Sequence, residues 1–253
     1  MMDNITLAER IRGNKLYKST ILGSVSGGIG YICTLPLDAI KQNIQVGKKF
    51  TPSIFKHYFK GGLLGLTSII PQMGIKFTVN AYLDKNYKFH PMINGFIAGL
   101  CDGAFLGPVL SAQSLQQINT SLSYRESFML LKKQSLFQLS IPMALRNAFY
   151  TSFLLGGYRM IPDKKQTFGQ DLLYASLLNI PGTIACSPSD VIRAKQNELL
   201  LNKQNINVIH VCKEIYNKDG LLGFFRGYRM LYINFAIRFP FTLATFNYLM
   251  KEF

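Results

Sequence analysis

Acidic residues are scarce in this chain. Its 253 residues include 13 Asp and Glu against 28 Lys and Arg, a formal net charge of +15. Charged residues of both signs make up only 16%, against roughly 25% in an average soluble domain. Groups for catalysis or metal binding are equally thin. The three histidines (His57, His90, His210) fall in predicted loops or surface segments without metal-ligand spacing. The four cysteines (Cys33, Cys101, Cys186, Cys212) are widely spread and lack zinc-type pairing. Three of them precede prolines inside apolar stretches, which reads as reduced, buried small residues. No cofactor or metal is implied. The Gly23 to Gly30 stretch is glycine-rich but lacks the Lys-Ser/Thr of a phosphate loop, so helix packing is the better reading. Met1 to Lys18 has no apolar core of secretory-signal length. A clustered basic face with interleaved aromatics is also missing, which argues against a nucleic-acid partner. The positive excess then points to anionic lipid or an anionic solute.

What the chain does have is repetition, which is sought first because it dictates architecture. Pro36-Leu37-Asp38-Ala39-Ile40-Lys41 and Pro188-Ser189-Asp190-Val191-Ile192-Arg193 share one pattern, and Pro108-Val109-Leu110-Ser111-Ala112-Gln113 is an eroded third copy. Thirteen residues before these prolines stand Gly23, Gly95 and Ala175; nine before stand Gly27, Gly99 and Asn179. Small residues four apart let helix backbones approach closely. Proline inside a helix removes a backbone hydrogen bond and bends the axis. A second set of marks follows: Phe59-Lys60-Gly61, Phe137-Gln138-Leu139 and Phe225-Arg226-Gly227, the last preceded by Asp219-Gly220.

Apolar residues make up 48% of the chain, yet its mean hydropathy is only +0.14. That balance suits helices lining a wet cavity. Six stretches approach the ~20 residues that cross a bilayer: 20–46, 64–82, 92–119, 137–160, 172–197 and 230–250. Between each proline and the following mark, amphipathic segments predict short surface helices. Thr51-Pro52 offers one N-terminus, and Ser123 with Glu126 a capping box. The loops on the surface-helix side carry the larger positive excess. This places them on the negative side of the membrane and both termini on the other.

In these residues the chain resembles the mitochondrial carrier family, most closely in the block Pro188 to Gly227 and least in the second repeat. The resemblance implies an all-α membrane protein, a pseudo-threefold bundle of six transmembrane helices with short surface helices. It implies three repeats (1–90, 91–167 with a degenerate motif, and 168–253) and a monomer. Residence in the mitochondrial inner membrane is implied, with both termini facing the intermembrane space and cardiolipin at the surface-helix termini. It also implies a gate at each end of a central solute site. Carried over residue by residue, Asp190 pairs with Lys41, Asp38 faces Gln113, and Arg193 faces Leu110, so one of three ion pairs survives. The amides Gln45, Gln117 and Asn197 brace this ring. At the opposite end the aromatic places hold Asn80, Tyr158 and Phe246 and the acid places Ala81, Arg159 and Asn247, leaving no acid. Both gates are therefore expected to be weak, with a low barrier to conformational exchange.

The even-numbered spans carry stripes at helical spacing: Ser68, Gln72 and Lys76; Arg146, Tyr150 and Leu154; Asn234, Arg238 and Thr242. The resemblance turns these stripes to the cavity, with contact positions at Lys76, Arg146-Asn147 and Asn234. Lys76, Arg146 and Arg238 are then three cations near mid-membrane, and Asp102 neutralises one. Two unmatched positive charges call for an anionic solute, since unpaired charge inside a membrane is costly. Arg146-Asn147 resembles carriers of keto acids and other carboxylates, whereas three cations suit a polyphosphate and Tyr150 could stack on a base. The expected function is a carrier, not an enzyme, working by alternating access on a nucleotide or similar phosphorylated anion by exchange. The alternatives are a carrier of di- or keto-carboxylates and a carrier-like scaffold without transport.

Overall fold

A computed structural model describes residues 15–46, 62–87, 89–119, 121–132, 136–161, 168–204 and 206–252. Among these residues there are helices and no strands. They are α1 (Lys15–Gln45), α2 (Gly62–Asn86), α3 (Pro91–Ile118), α4 (Tyr124–Lys132), α5 (Leu136–Thr151), α6 (Phe168–Leu201), α7 (Val208–Asp219) and α8 (Tyr228–Glu252). A π-helical turn, Ser152–Gly156, continues α5, and a 3-10 turn, Leu221–Phe225, links α7 to α8. The six long helices cover all six predicted spans. They pack in a closed circuit: α1 on α2, α2 on α3, α3 on α5, α5 on α6, α6 on α8, and α8 back on α1.

The motif prolines all lie inside helices: Pro36 in α1, Pro108 in α3 and Pro188 in α6. Pro36 cannot donate to the Ile32 carbonyl one turn earlier, and α1 bends by 66° between Thr20–Ile32 and Thr34–Gln45. The small-residue positions act differently in each repeat. On α3, Gly95 and Gly99 are joined by Gly103 and Gly107, and this row meets the backbone of α5 and its π-turn directly. A Cβ at Gly95 would come within 2.7 Å of the Thr151 carbonyl oxygen, and one at Gly107 within 3.0 Å of Ser140 Cα. On α1, by contrast, Gly23 and Gly27 receive the side chains of Phe77 and Met73. In α6, Ala175 is buried and the Asn179 side chain accepts a hydrogen bond from the Tyr150 hydroxyl at 2.6 Å.

The shorter helices cover one end of the circuit. At α4 the capping box forms in both directions: Ser123 N–H donates to Glu126 Oε2 at 2.7 Å and Glu126 N–H to Ser123 Oγ at 3.3 Å. Leu131 of α4 and Val211 and Ile215 of α7 join an apolar cluster with Leu115, Leu139, Val191 and Leu199 of the long helices. The Asp219-Gly220 and Phe225-Arg226-Gly227 marks are turns requiring left-handed backbone, with φ of 65° at Gly220 and 75° at Gly227. The first-repeat mark Phe59-Lys60-Gly61 and the predicted surface-helix start at Thr51-Pro52 lie outside the described residues. The expectation of buried cysteines holds for Cys186, whereas Cys101 and Cys212 are half-buried; the Cys33 side chain lies outside the described residues.

The circuit has a polar inside and an apolar outside. Each long helix buries charged or amide side chains, as at Lys41, Gln72, Asp102, Arg146, Asp190 and Arg238. Each also exposes large apolar ones, as at Ile32, Ile70, Phe105, Phe149, Leu177 and Phe241. Among the described residues, α3 alone is long and apolar enough to cross a membrane as a single unbroken helix, and α1 qualifies when its bent halves are joined. Of the other four, α5 is only 16 residues long before its π-turn, and α2, α6 and α8 carry buried charged side chains along their length.

The glycine row yields a stability prediction. Gly99→Val or Gly103→Val, each pressing a branched side chain on the α5 backbone, should cost at least about 1–3 kcal/mol. Gly169→Ala, whose Cβ would meet nothing within 4 Å, should be near neutral. Thermal unfolding of the detergent-solubilised protein reads both.

Candidate functional site

The buried charges are placed by helical spacing. On α1, Tyr31, Thr34, Asp38, Lys41 and Gln45 recur at intervals of three and four and share one face. On α6, Asp190 and Arg193 lie one turn apart. The Asp190 carboxylate is the focus. Lys41 Nζ lies 3.1 Å from its Oδ2 and Arg146 Nε 2.7 Å from its Oδ1. Arg193 Nη2 is 3.4 Å from Oδ1, and Gln45 donates to Oδ2 at 2.6 Å. One acid, itself fully buried, is thus shared by three cations.

A second focus is Asp102. Its Oδ2 lies 3.2 Å from Lys76 Nζ and accepts hydrogen bonds from Gln72 at 3.2 Å and Asn147 at 2.6 Å. Asn147 Oδ1 in turn accepts from Arg146 Nη1 at 2.8 Å. A continuous polar chain therefore runs from Asp190 through Arg146 and Asn147 to Asp102 and Lys76. The third focus is Asp38, which forms a short ion pair with Arg238. Arg238 Nε also donates to Thr34 Oγ1 at 3.0 Å, and its guanidinium lies over the Tyr31 ring at 4.7 Å. Arg146 lies over Phe235 at 5.1 Å. Lys41 Nζ also lies over the Phe235 ring, at 6.0 Å, but the planar guanidinium alone combines a ring contact with donation from several nitrogens.

Several expectations are corrected by these contacts. Lys76, Arg146 and Arg238 are not lone cations: Lys76 has Asp102, as expected of one of the three, Arg238 has Asp38, and Arg146 shares Asp190. Buried charge is costly without a counter-charge, and the helices bring the carboxylates within reach. The positive excess survives in another form. Five buried bases (Lys41, Lys76, Arg146, Arg193, Arg238) face three buried acids (Asp38, Asp102, Asp190) among the described residues, an excess of two centred on Asp190.

The ring also differs from its expected pairing. Asp190 and Lys41 do meet. Asp38 turns to Arg238 rather than Gln113, and Gln113 donates to the Tyr31 hydroxyl at 2.8 Å. Arg193 folds back on Asp190 of its own helix instead of facing Leu110, which offers no acceptor.

Of the remaining cavity candidates, Tyr150 packs on Phe235 at 4.4 Å between ring centroids and donates to Asn179, so it offers no base platform in this conformation. The Ser68 hydroxyl bonds the Gly65 carbonyl of its own helix at 2.8 Å. Asn234 donates to the Thr34 carbonyl at 3.4 Å. Tyr31, Asp38, Lys41, Gln72, Gln113, Arg146, Arg193 and Arg238 line a partly enclosed cavity of about 40 Å³ to which all six long helices contribute, while Lys76, Asn147, Tyr150, Ser68 and Asn234 lie outside its wall.

At the other end an acid is present after all. Asp84, one turn beyond Ala81, pairs with Arg159 at 3.0 Å, and Phe77 stacks on Phe246 at 4.2 Å. Both contacts join helices that are not neighbours in the circuit. The Asn247 side chain lies outside the described residues. The sequence reading missed Asp84, Tyr31 and Thr34. Their signals were there: Asp84 and Arg159 are opposite charges near helix ends, and Tyr31 and Thr34 fall on the Asp38 face of α1.

The family model described as mitochondrial carrier protein matches residues 164–253. The chain is 25% identical over 92% of its length to the mitochondrial aspartate-glutamate transporter of Saccharomyces cerevisiae, of which it covers 31%. It is 26% identical over 82% of its length to a glutamate/glycine mitochondrial carrier of Schizosaccharomyces pombe, of which it covers 85%. It is 22% identical over 88% of its length to a chloroplastic/mitochondrial adenine nucleotide transporter of Arabidopsis thaliana, covering 66% of that protein. The chain thus spans about a third of the first of these relatives.

Replacing Asp102 by Asn leaves Lys76 buried without a counter-charge and should cost about 3–5 kcal/mol. The double substitution Lys76→Met with Asp102→Leu removes both charges and should cost clearly less. A double-mutant cycle by chemical unfolding in detergent measures the difference.

Proposed function

We propose that this chain belongs to the mitochondrial carrier family, on the strength of the match over its third repeat and of its relatives, and that it is a transmembrane carrier of a small anionic metabolite. Members of that family are transporters and not enzymes. The three repeats at 1–90, 91–167 and 168–253 form a pseudo-threefold bundle of six membrane-spanning helices in the mitochondrial inner membrane, with both termini in the intermembrane space. The protein acts as a monomer, with cardiolipin at the surface-helix termini. Alternating access opens the two ends in turn around a midplane site. The observation that carries the reading is the buried excess of two positive charges, which an anion offsets.

The solute meets Arg146, Asn147, Lys76 and Arg238. The cavity of about 40 Å³ is far below the ~300–1,000 Å³ of a typical ligand pocket, so this conformation is closed and the site widens on opening. Because Arg146 and Arg238 hold Asp190 and Asp38, an anion that draws these guanidiniums away loosens the closed ring. This couples loading to opening. Arginine suits both carboxylate and phosphate through paired donors. The commitment of Tyr150 to Phe235 and Asn179 favours a dicarboxylate, and the relatives named for aspartate-glutamate and glutamate/glycine agree with it. A nucleotide-type phosphorylated anion is the second reading, favoured by the adenine nucleotide transporter among the relatives.

Purified protein in liposomes should exchange at least one labelled dicarboxylate, amino-acid or nucleotide anion. Arg146→Gln leaves Asp190 with Lys41 and Arg193 and should fold, yet lose roughly 10- to 100-fold of uptake, the worth of a charged hydrogen bond or more. Arg238→Gln strands Asp38 and should destabilise the fold as well. Undiminished uptake by Arg146→Gln, or no exchange of any anion by the unaltered protein, would contradict the reading.

A further inference from the structure

We propose that the cavity walled by Lys41, Arg193, Ser114 and Gln117 is a binding site for a small monovalent inorganic anion of the chloride class, distinct from the transported solute. Three observations converge on it.

The first is charge. The cavity wall carries four cations, Lys41, Arg146, Arg193 and Arg238, against the single carboxylate of Asp38. Asp190, bonded to three of those cations, brings the balance to an excess of two. The second is the sign of the unsatisfied groups. Arg193 Nε and Gln117 Nε2 line this cavity, are more than nine-tenths buried and have no hydrogen-bond partner. Both are donors. A buried polar atom without a partner costs roughly 1–3 kcal/mol, and an anion is the ligand that donors and surplus positive charge both select. The third is size. About 40 Å³ holds one small ion with little else and excludes a metabolite.

The cause lies in the second repeat. Leu110 and Gln113 stand where the other repeats have an acid and a base, and Leu110 lines the cavity without an oxygen to offer. The ring therefore lacks a carboxylate that Arg193 would otherwise meet, and a diffusible anion takes its place in the closed conformation. The anion offsets one of the two surplus charges and accepts from Arg193 and Gln117. Closure then depends on the anion concentration.

The inference rests on buried charge and geometry and not on transport. Thermal unfolding of purified protein in detergent is followed in sodium chloride and in sodium gluconate at equal ionic strength. Chloride should raise Tm by a few degrees with saturation, as a ligand bound only by the folded state does, and gluconate should not. Chlorine NMR of the same samples should show saturable line broadening. Arg193→Gln and Gln117→Leu should each weaken the apparent chloride affinity about ten-fold or more. Leu110→Asp, which supplies the missing carboxylate from within, should fold and abolish the chloride response. Equal stabilisation by both salts overturns the proposal, as does an unchanged chloride response in Leu110→Asp. Chloride dependence without uptake would leave it standing, and uptake without chloride dependence would remove it alone.

Discussion

Among the described residues, eight buried charged side chains, five basic and three acidic, must be held inside a circuit of helices whose outward faces are apolar. In water this arrangement is inverted, since charge is ordinarily exposed and large apolar groups are ordinarily covered. In a bilayer it is the workable one: in the proposed placement lipid covers exposed apolar side chains such as Phe105, Leu177 and Phe241, and ionisable groups turn inward to one another. Length, proline placement, glycine rows and ion pairing all serve that inversion. The Gly95 to Gly107 row brings α3 against α5 closely enough for Asp102 to accept from Asn147, while Lys76 reaches it from α2.

The interior charges are organised by scarcity of acid. With three buried carboxylates for five buried bases among the described residues, Asp102 collects three donors and Asp190 four: Lys41, Arg146, Arg193 and Gln45. A shared counter-ion is an exchangeable one. An incoming anion competes for the same guanidiniums, and Asp190 keeps two cations when it loses Arg146. The ring that closes one end and the groups that bind solute are therefore a single network in the proposed mechanism. At the other end the closure is lighter. Asp84 and Arg159 are both part-exposed, where an ion pair contributes about 0.2–1 kcal/mol, and the Phe77–Phe246 stack adds the apolar contact.

The elements were legible from residue pattern because proline, glycine and the apolar stretches recur at fixed spacing, and each predicted span coincides with a long helix. The Asp190–Lys41 contact was legible through the family resemblance, which implies that the acid of one repeat meets the base of the next. Contacts between helices of different tilt were not. Asp38 with Arg238 and Arg146 with Asp190 depend on the angle at which α8 and α5 lean on α1 and α6, and helical spacing gives a face but no tilt. For the same reason two of the three inward-facing cations looked unmatched when carboxylates from other helices stood within reach. Gly103 and Gly107 extend a visible pattern by two further turns. Nothing in the sequence distinguishes Gly23 and Gly27, which admit side chains, from Gly95 and Gly99, which admit backbone.

The inverted distribution of charge is tested most directly by water access to the outer face. Single cysteines replace Phe105, Leu177 and Phe241 in a background where the native cysteines are alanine, and the protein is placed in liposomes. A membrane-impermeant maleimide should leave all three unmodified until detergent and denaturant are added. Rapid labelling of these positions in intact liposomes would mean that the apolar face meets water, and would contradict both the membrane placement and the carrier mechanism built on it.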